Sequence, residues 1–363
     1  MDKKAWSKSD IKYMDLAFEE AHRVRGNTRP NPAVGAVLVK NGRVVGRGGT
    51  SPAGGPHAEV NAITHAGTKA KGASCYVTLE PCCHFGKTPP CVDALISHGI
   101  KKVFIATVDK NKLVSSKGIK KLKKAGIEVH TGLLEEKAID FYEYYNFFIK
   151  YGRPKIILKI AQSIDGSINE VPGKETAITG PEAKVFTHNL RAMVDGVMVG
   201  AVTLRADNPS LTPRNTTIPL EYMPETIITS KSGRLPLTHT LMKRGKKKNC
   251  VVISNSKSTF PSHIHHYAFT KNNLTVDDFI SVFKKRGYHG VLIEGGSHLL
   301  SQWLSSKYWD MFYVLTGPSF LPKGQKWASE LPDNWHKAVK FDRFHPVGKD
   351  SVLKIVPKKI RKK

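Results

Sequence analysis

Hydrophobic positions along the first part of the chain change period repeatedly. From Asp10 to Arg25 apolar residues recur at helical spacing, predicting an amphipathic helix. In "NPAVGAVLVKNGRVVGRGG" two apolar runs flank Asn41-Gly42, a pair that predicts a two-residue hairpin. "HAEVNAITHAG" predicts a helix starting at His57 and stopping at Gly67. The β-branched and aromatic run 74–80 reads as a strand. Helix, strand, helix and strand are expected over 91–99, 101–108, 118–126 and 127–134, then one long helix over 135–152. This alternation implies an α/β layered sheet.

The pattern breaks at "KYGRPKI". Gly152 stops the helix and Pro154 prevents its resumption. Two domains are therefore expected, 1–151 and 152–363. In the second, strands are expected at 155–167, 196–204, 225–230, 249–254, 290–296 and 311–317. Helices are expected at 181–194, 275–287 and 298–307. The second domain is thus α/β as well.

Composition narrows the class. Hydrophobic residues make up 40% of the 363, enough for real cores. There is no apolar run of roughly 18 residues, so no membrane span is expected. The first residues lack an apolar signal region, organellar targeting is not evident, and a cytoplasmic setting follows. The five cysteines, Cys75, Cys82, Cys83, Cys91 and Cys250, are odd in number and four crowd one segment, which suits a metal site better than a disulfide framework. A formal net charge of +27 raises the prospect of nucleic acid. Its densest runs, 117–126, 243–249 and 357–363, fall on a helix face, a polar loop and a terminus. Solvated faces are the plainer reading, and a phosphate-bearing substrate the functional one.

Chemistry concentrates in "PHAEVNAI" and "EPCCHFGKTPPC". A catalytic zinc needs three protein ligands and an open fourth position. His57 supplies imidazole. Cys82 follows a strand and Cys91 opens a helix whose N-terminus favours thiolate. Adjacent Cys82 and Cys83 point in different directions, so Cys82 and Cys91 are the expected pair. Glu59, two residues beyond His57, is placed to move protons between a metal-activated water and a leaving amine. This is the zinc-deaminase pattern. A closed structural zinc site, completed by Cys83 or His84, is the plainer alternative. In the second domain "EGGSHLL" ends a strand and starts a helix; Gly295 and Gly296 let backbone amides approach a pyrophosphate there. A glycine pair at such a place is otherwise a simple turn.

The wording of "NPAVGAVLV", "PHAEVNAI" and "YVTLEPCCHFGKTPPCVDALI" resembles the bifunctional riboflavin-biosynthesis deaminase/reductase family. The resemblance continues through "LKIAQSIDGSI", "LRAMVDGVMVGAVTLRADNPSLTPR" and "VLIEGGSHLLSQWL", covering nearly the whole chain. It implies a cytidine-deaminase-like three-layer domain followed by a dihydrofolate-reductase-like domain. The first would use Zn²⁺ to deaminate a phosphoribosylamino diaminopyrimidinone, with Glu59 as proton shuttle. Asn31, Lys87, Thr88, Asp109 and Asn111 would contact that substrate. The second would use NADPH to reduce the ribosyl chain to ribityl. Ala161, Thr203, Asp207 and Ser230 would line NADPH; Lys159, Arg191, Leu211, Arg214 and Glu294 would hold the substrate. Arg191 and Arg214 suit phosphate recognition as guanidinium forks. Phosphorylated pyrimidines are the implied partners, a homo-oligomer is possible, and neither nucleic acid nor membrane is implied.

The chain departs from the family's common wording at Thr50 (His), Lys110 and Lys112 (Pro), Glu175 (Ser) and Ala177 (Trp). These departures keep a second reading in view, an active deaminase beside a reductase half without its chemistry. A nucleic-acid base deaminase is the third, which the long spacing between Cys82 and Cys91 opposes.

Overall fold

A capping box starts the first helix. The hydroxyl of Ser7 accepts from the backbone N–H of Asp10 (3.1 Å), whose carboxylate accepts from that of Ser7 (3.3 Å). The computed structural model describes residues 6–86, 88–171, 174, 176–217, 222–243 and 250–358. Lys87 and Glu175 lie outside the described residues, as do 244–249 and 359–363 of the basic runs. The chain divides into two compact units, Met1–Gly152 and Arg153–Lys363.

In the first unit, α1 (Lys8–Val24) buries Met14, Ala17, Phe18 and Ala21 as one stripe. The stripe packs on β1 (Gly35–Lys40), where Gly35 is required: a Cβ there would sit 1.9 Å from the carbonyl oxygen of Ala17. β2 (Arg43–Gly49) returns antiparallel to β1. Asn41 and Gly42 have φ of 51° and 73°, the left-handed pair of the expected hairpin turn. α2 (Ala58–Ala66), β3 (Ser74–Val77), α3 (Cys91–Ser97), β4 (Lys102–Ile105), α4 (Lys117–Lys124) and β5 (Glu128–Thr131) follow. The sheet order is β2-β1-β3-β4-β5, with β3, β4 and β5 parallel. Val37, Leu38, Val77, Val103 and Ile105 form its buried faces.

The long helix expected over 135–152 is two, α5 (Glu135–Phe141) and α6 (Glu143–Tyr151). The break is at Tyr142, whose φ and ψ are −94° and 12°. Its ring is 1% exposed, and its hydroxyl meets Thr78 Oγ1 (2.6 Å) and donates to the carbonyl of Ala33 (3.1 Å). Burying the ring while pairing the hydroxyl bends the chain off a straight helical path. Gly152, at φ 64°, closes α6.

The second unit begins with β6 (Lys155–Ser163), α7 (Pro181–Met193), β7 (Gly196–Gly200), α8 (Ala201–Asp207), β8 (Glu225–Ser230), α9 (Thr240–Lys243), β9 (Cys250–Ser254) and β10 (Ile264–Ala268). It continues with α10 (Val276–Lys285), β11 (Gly290–Glu294), α11 (Ser297–Leu304), β12 (Met311–Gly317), β13 (Val339–Val347) and β14 (Asp350–Pro357). Among the described residues its sheet runs β10-β9-β8-β7-β11-β6-β12-β14-β13. All pairs from β10 to β12 are parallel; β14 runs antiparallel to both its neighbours. Leu158, Met198, Val251, Phe283, Trp303 and Phe312 are buried in its core. The strand expected over 196–204 ends at Gly200, which caps α8; Thr203 and Asp207 therefore sit on a helix. The start of β6 is tied to the start of β12 by a buried pair. Arg153 donates to both Asp310 oxygens at 2.7 Å, and Asp310 also accepts from the N–H of Ile156 (2.8 Å).

Candidate active site

Three local structures of the first unit converge on one point. His57 is the N-cap of α2, Cys82 sits in the loop after β3, and Cys91 is the first residue of α3. Their ligand atoms all lie within 4.8 Å of one another, and no other metal-binding group of three or more is found among the described residues. His57 Nδ1 is 3.5 Å from Cys82 Sγ and 3.3 Å from Cys91 Sγ. A tetrahedral zinc, with Zn–S about 2.3 Å and Zn–N about 2.0 Å, spaces sulfur and nitrogen roughly 3.6 Å apart, so this donor set fits the ion. Cys83 turns away, its Sγ 3.8 Å from the carbonyl of Leu113, and neither it nor His84 joins the cluster. The arrangement thus has three ligands and not the four of a closed site.

The electrostatics suit metal capture. The Cys82 thiol is pulled down to about 4 by its hydrogen bond with Cys91 and, against burial, by the one with His57. The same contact and burial push the Cys91 thiol up. His57 is raised, chiefly by its bond to Cys82. One sulfur is therefore a ready thiolate, and the second gives up its proton when a cation arrives. Glu59, 3% exposed, lies one turn-start beyond His57. Burial and the neighbouring Cys82 push its carboxyl up to about 7.

Elsewhere in the first unit, Asn31 is half-buried in a turn closed by Thr28, which accepts from its N–H (3.0 Å) and donates to its carbonyl (2.9 Å). Thr88 is half-buried in the loop between the cysteines. Asp109 is buried, and burial raises it to about 6 against hydrogen bonds from the N–H of Asn111 (2.8 Å) and the hydroxyl of Tyr145 (3.3 Å). Thr50 is buried and pairs with the backbone of Val34. Tyr142 and Tyr145 were not singled out in the sequence; their spacing on a helix beside charged residues looks like ordinary packing.

In the second unit Glu294 and Ser230 end parallel strands, the edge at which open α/β sheets bind ligands. Lys159 on β6 stands in register with Glu294, the last residue of β11. Arg191 of α7 donates to both Glu294 oxygens (2.6 and 2.9 Å), and Lys159 Nζ lies 4.0 Å from the same carboxylate. The guanidinium fork expected for phosphate is thus engaged with Glu294. Burial pulls Lys159 down, with Glu294 opposing. Despite burial, Arg191 holds Glu294 below its usual range. His188, one turn before Arg191, is not marked by the sequence pattern; its Nδ1 lies 3.0 Å from the carbonyl of Thr212 and 3.2 Å from the backbone nitrogen of Arg214, tying α7 to the loop that bears Leu211 and Arg214. Ala161 lies two residues beyond Lys159 on β6, and Ser230 ends β8. Gly295 and Gly296 precede α11, and a Cβ on Gly296 would meet nothing within 4 Å. Ala177 is exposed.

Comparison with known proteins agrees with this geometry. Residues 7–107 match the cytidine and deoxycytidylate deaminase zinc-binding region, and residues 154–353 match the RibD C-terminal domain. The chain belongs to the RibD family. A RibD of Aquifex aeolicus is 39% identical over 87% of this chain and 88% of its own length. That of Escherichia coli is 32% identical over 96% and 99%. The solved RibD of Acinetobacter baumannii has a TM-score of 0.76 at 32% identity, covering 97% of this chain and 99% of that one. A Thermotoga maritima structure, described as a diaminohydroxyphosphoribosylaminopyrimidine deaminase/5-amino-6-(5-phosphoribosylamino)uracil reductase, also has a TM-score of 0.76, at 31% identity over 96% and 99%. As a RibD-family protein the chain is a bifunctional deaminase and reductase of riboflavin biosynthesis, with zinc in its first domain and a reductase domain of the NADPH-using type. Among the described residues no helix is long and apolar enough to cross a membrane.

Proposed function

We propose that the first unit hydrolyses the exocyclic amine of a diaminopyrimidinone carrying a phosphoribosylamino group. The second then reduces the ribosyl chain of the resulting uracil to ribityl with NADPH. The observation that carries the first step is the three-ligand cluster with buried Glu59 beside it. Bound zinc supplies the Lewis acidity that lets water ionise near neutral pH. His57, Cys82 and Cys91 hold it. Glu59 takes the proton that water loses and returns it to the departing nitrogen, so water enters and ammonia leaves. Asn31, Lys87, Thr88, Asp109 and Asn111 hold the pyrimidine and its sugar phosphate.

For the second step, Lys159, Arg191, Leu211, Arg214 and Glu294 bind the phosphoribosylamino-uracil. Ala161, Thr203, Asp207, Ser230 and the amides after Gly295 and Gly296 bind NADPH. The buried Lys159–Glu294–Arg191 array, at the strand ends, supports a polar, phosphate-bearing substrate there. Free cysteines, all five without a disulfide, support a reducing cytoplasmic setting. The test is NADPH oxidation by zinc-loaded protein given the pre-deaminated uracil. Turnover supports the reductase half despite Glu175 and Ala177. Ammonia release from the diaminopyrimidinone without NADPH oxidation would leave only the deaminase.

A further inference from the structure

We propose that Glu80 is a positioning residue for the deamination, joining the loop that bears Asp109 and Asn111 to the strand end that bears Cys82. The inference rests on the proposed roles of those residues. Glu80 is 4% exposed and stands two residues before Cys82. Its Oε2 accepts from the N–H groups of Ser116 (2.9 Å) and Asp109 (3.4 Å). Its Oε1 accepts from those of Gly118 (3.0 Å) and Ile119 (3.3 Å). One side chain therefore gathers amides from both ends of the 109–119 segment, including the start of α4, where the helix dipole favours an anion.

Two further features show how closely the segment is drawn in. Ser116 adopts φ 60°, a left-handed conformation that a non-glycine residue holds only when its surroundings impose it, and its amide is one of the four. Gly118 has no room for a side chain: a Cβ would stand 2.3 Å from the carbonyl oxygen of Pro81, the neighbour of both Glu80 and Cys82. Between these anchors the loop is mostly exposed, with Lys110, Lys112, Leu113 and Ser115 facing solvent. Glu80 holds the backbone of Asp109 while Tyr145 holds its carboxylate (3.3 Å to each oxygen). The substrate-side carboxylate is thus fixed relative to the zinc ligands from two directions. Glu80 touches neither the metal ligands' sulfur atoms nor the reacting atoms; it acts through the loop.

Glu80→Gln keeps the shape and sets an amide NH₂ against two N–H donors. In zinc-loaded full chain, KM for the diaminopyrimidinone should rise about tenfold or more, the scale of lost charge-assisted hydrogen bonds, with kcat much less affected. Zinc stoichiometry, the absorption spectrum of the cobalt-substituted protein and NADPH oxidation should be unchanged. An unchanged KM beside an active wild type would overturn the role of Glu80, and so would parallel loss of zinc, which would make it a support of the metal loop. A wild type that releases no ammonia would overturn the reading of the whole site instead. Hydrogen exchange on the wild type needs no variant: the amides of Asp109, Ser116, Gly118 and Ile119 should exchange far more slowly than those of Lys110 and Lys112. Equal rates would refute the clamp.

Discussion

Glu294→Gln is the sharpest test of the second unit's electrostatics. Glu294 and Lys159 side chains are 11% and 13% exposed, and their charges lie 4.0 Å apart. At an effective dielectric of about 20, two unit charges at that distance attract by roughly 4 kcal/mol. Removing one partner of a buried ionic group costs about 3–5 kcal/mol by experience elsewhere, so the two scales agree. The pH dependence has a definite sign. Lys159 is already held below the usual lysine range by burial, with Glu294 opposing and Arg191 adding to the depression. Its folded pKa lies below its unfolded one, so the unfolded chain binds the extra proton and stability rises with pH between the two values. Without Glu294 the folded value falls further and the window widens downward. The variant should lose about 3–5 kcal/mol near pH 6 and less at pH 9, because a depressed Lys159 is more easily neutralised as pH rises while the unpaired Arg191 fork stays charged. Guanidinium unfolding followed by tryptophan fluorescence, with Trp6 of the first unit replaced by Phe, reads this unit, because the other four tryptophans, Trp303, Trp309, Trp327 and Trp335, belong to it. A loss below about 1 kcal/mol, or an equal loss at both pH values, would refute the reasoning.

Cys91→Ser should abolish zinc retention and ammonia release together while NADPH oxidation persists; a variant that keeps one zinc per chain would show the ligand set is wrong. Arg153→Met removes both 2.7 Å bonds to buried Asp310 and should cost about 3–5 kcal/mol, as denaturant midpoints would show; a shift below about 1 kcal/mol would count against it. His22 is held down to about 4 by burial and by Arg25 and Lys137. Its unfolded chain takes up a proton first, so stability should fall as pH drops from about 6.5 to 4; allowing for partial exposure, His22→Phe should remove about 1–2 kcal/mol of that acid sensitivity, and titration curves that superimpose would count against it.

The metal centre was legible because its chemistry is local: His57-x-Glu59 and the paired cysteines declare themselves within short stretches, and caps and hairpin turns then place them. The substrate-side residues proposed here come mostly from the family wording. What escaped notice depends on partners distant in the chain. Glu80 looks like any acidic residue before Pro81, since its four donors come from 109–119. Tyr142 fits a helical pattern until its hydroxyl is seen to need Thr78 and Ala33. β13 was missed because most of it is exposed, and an irregularity between Phe341 and Arg343 shifts its alternation. The strand expected over 196–204 was overlong because "VGAVTL" carries apolar residues suited to either period.

The break at Tyr142 bears on how the two activities could be separated. The last strand of the first sheet ends at Thr131, and a gene cut soon after it would keep every zinc ligand and every strand. Such a fragment would lack the hydroxyls that brace Ala33, two residues from Asn31, and the carboxylate of Asp109. A free-standing first unit is therefore expected to need the chain through α6: a fragment ending between Thr131 and Tyr145 should deaminate less well than one ending at Gly152. The final helices of the first unit brace its interior and are not only a spacer.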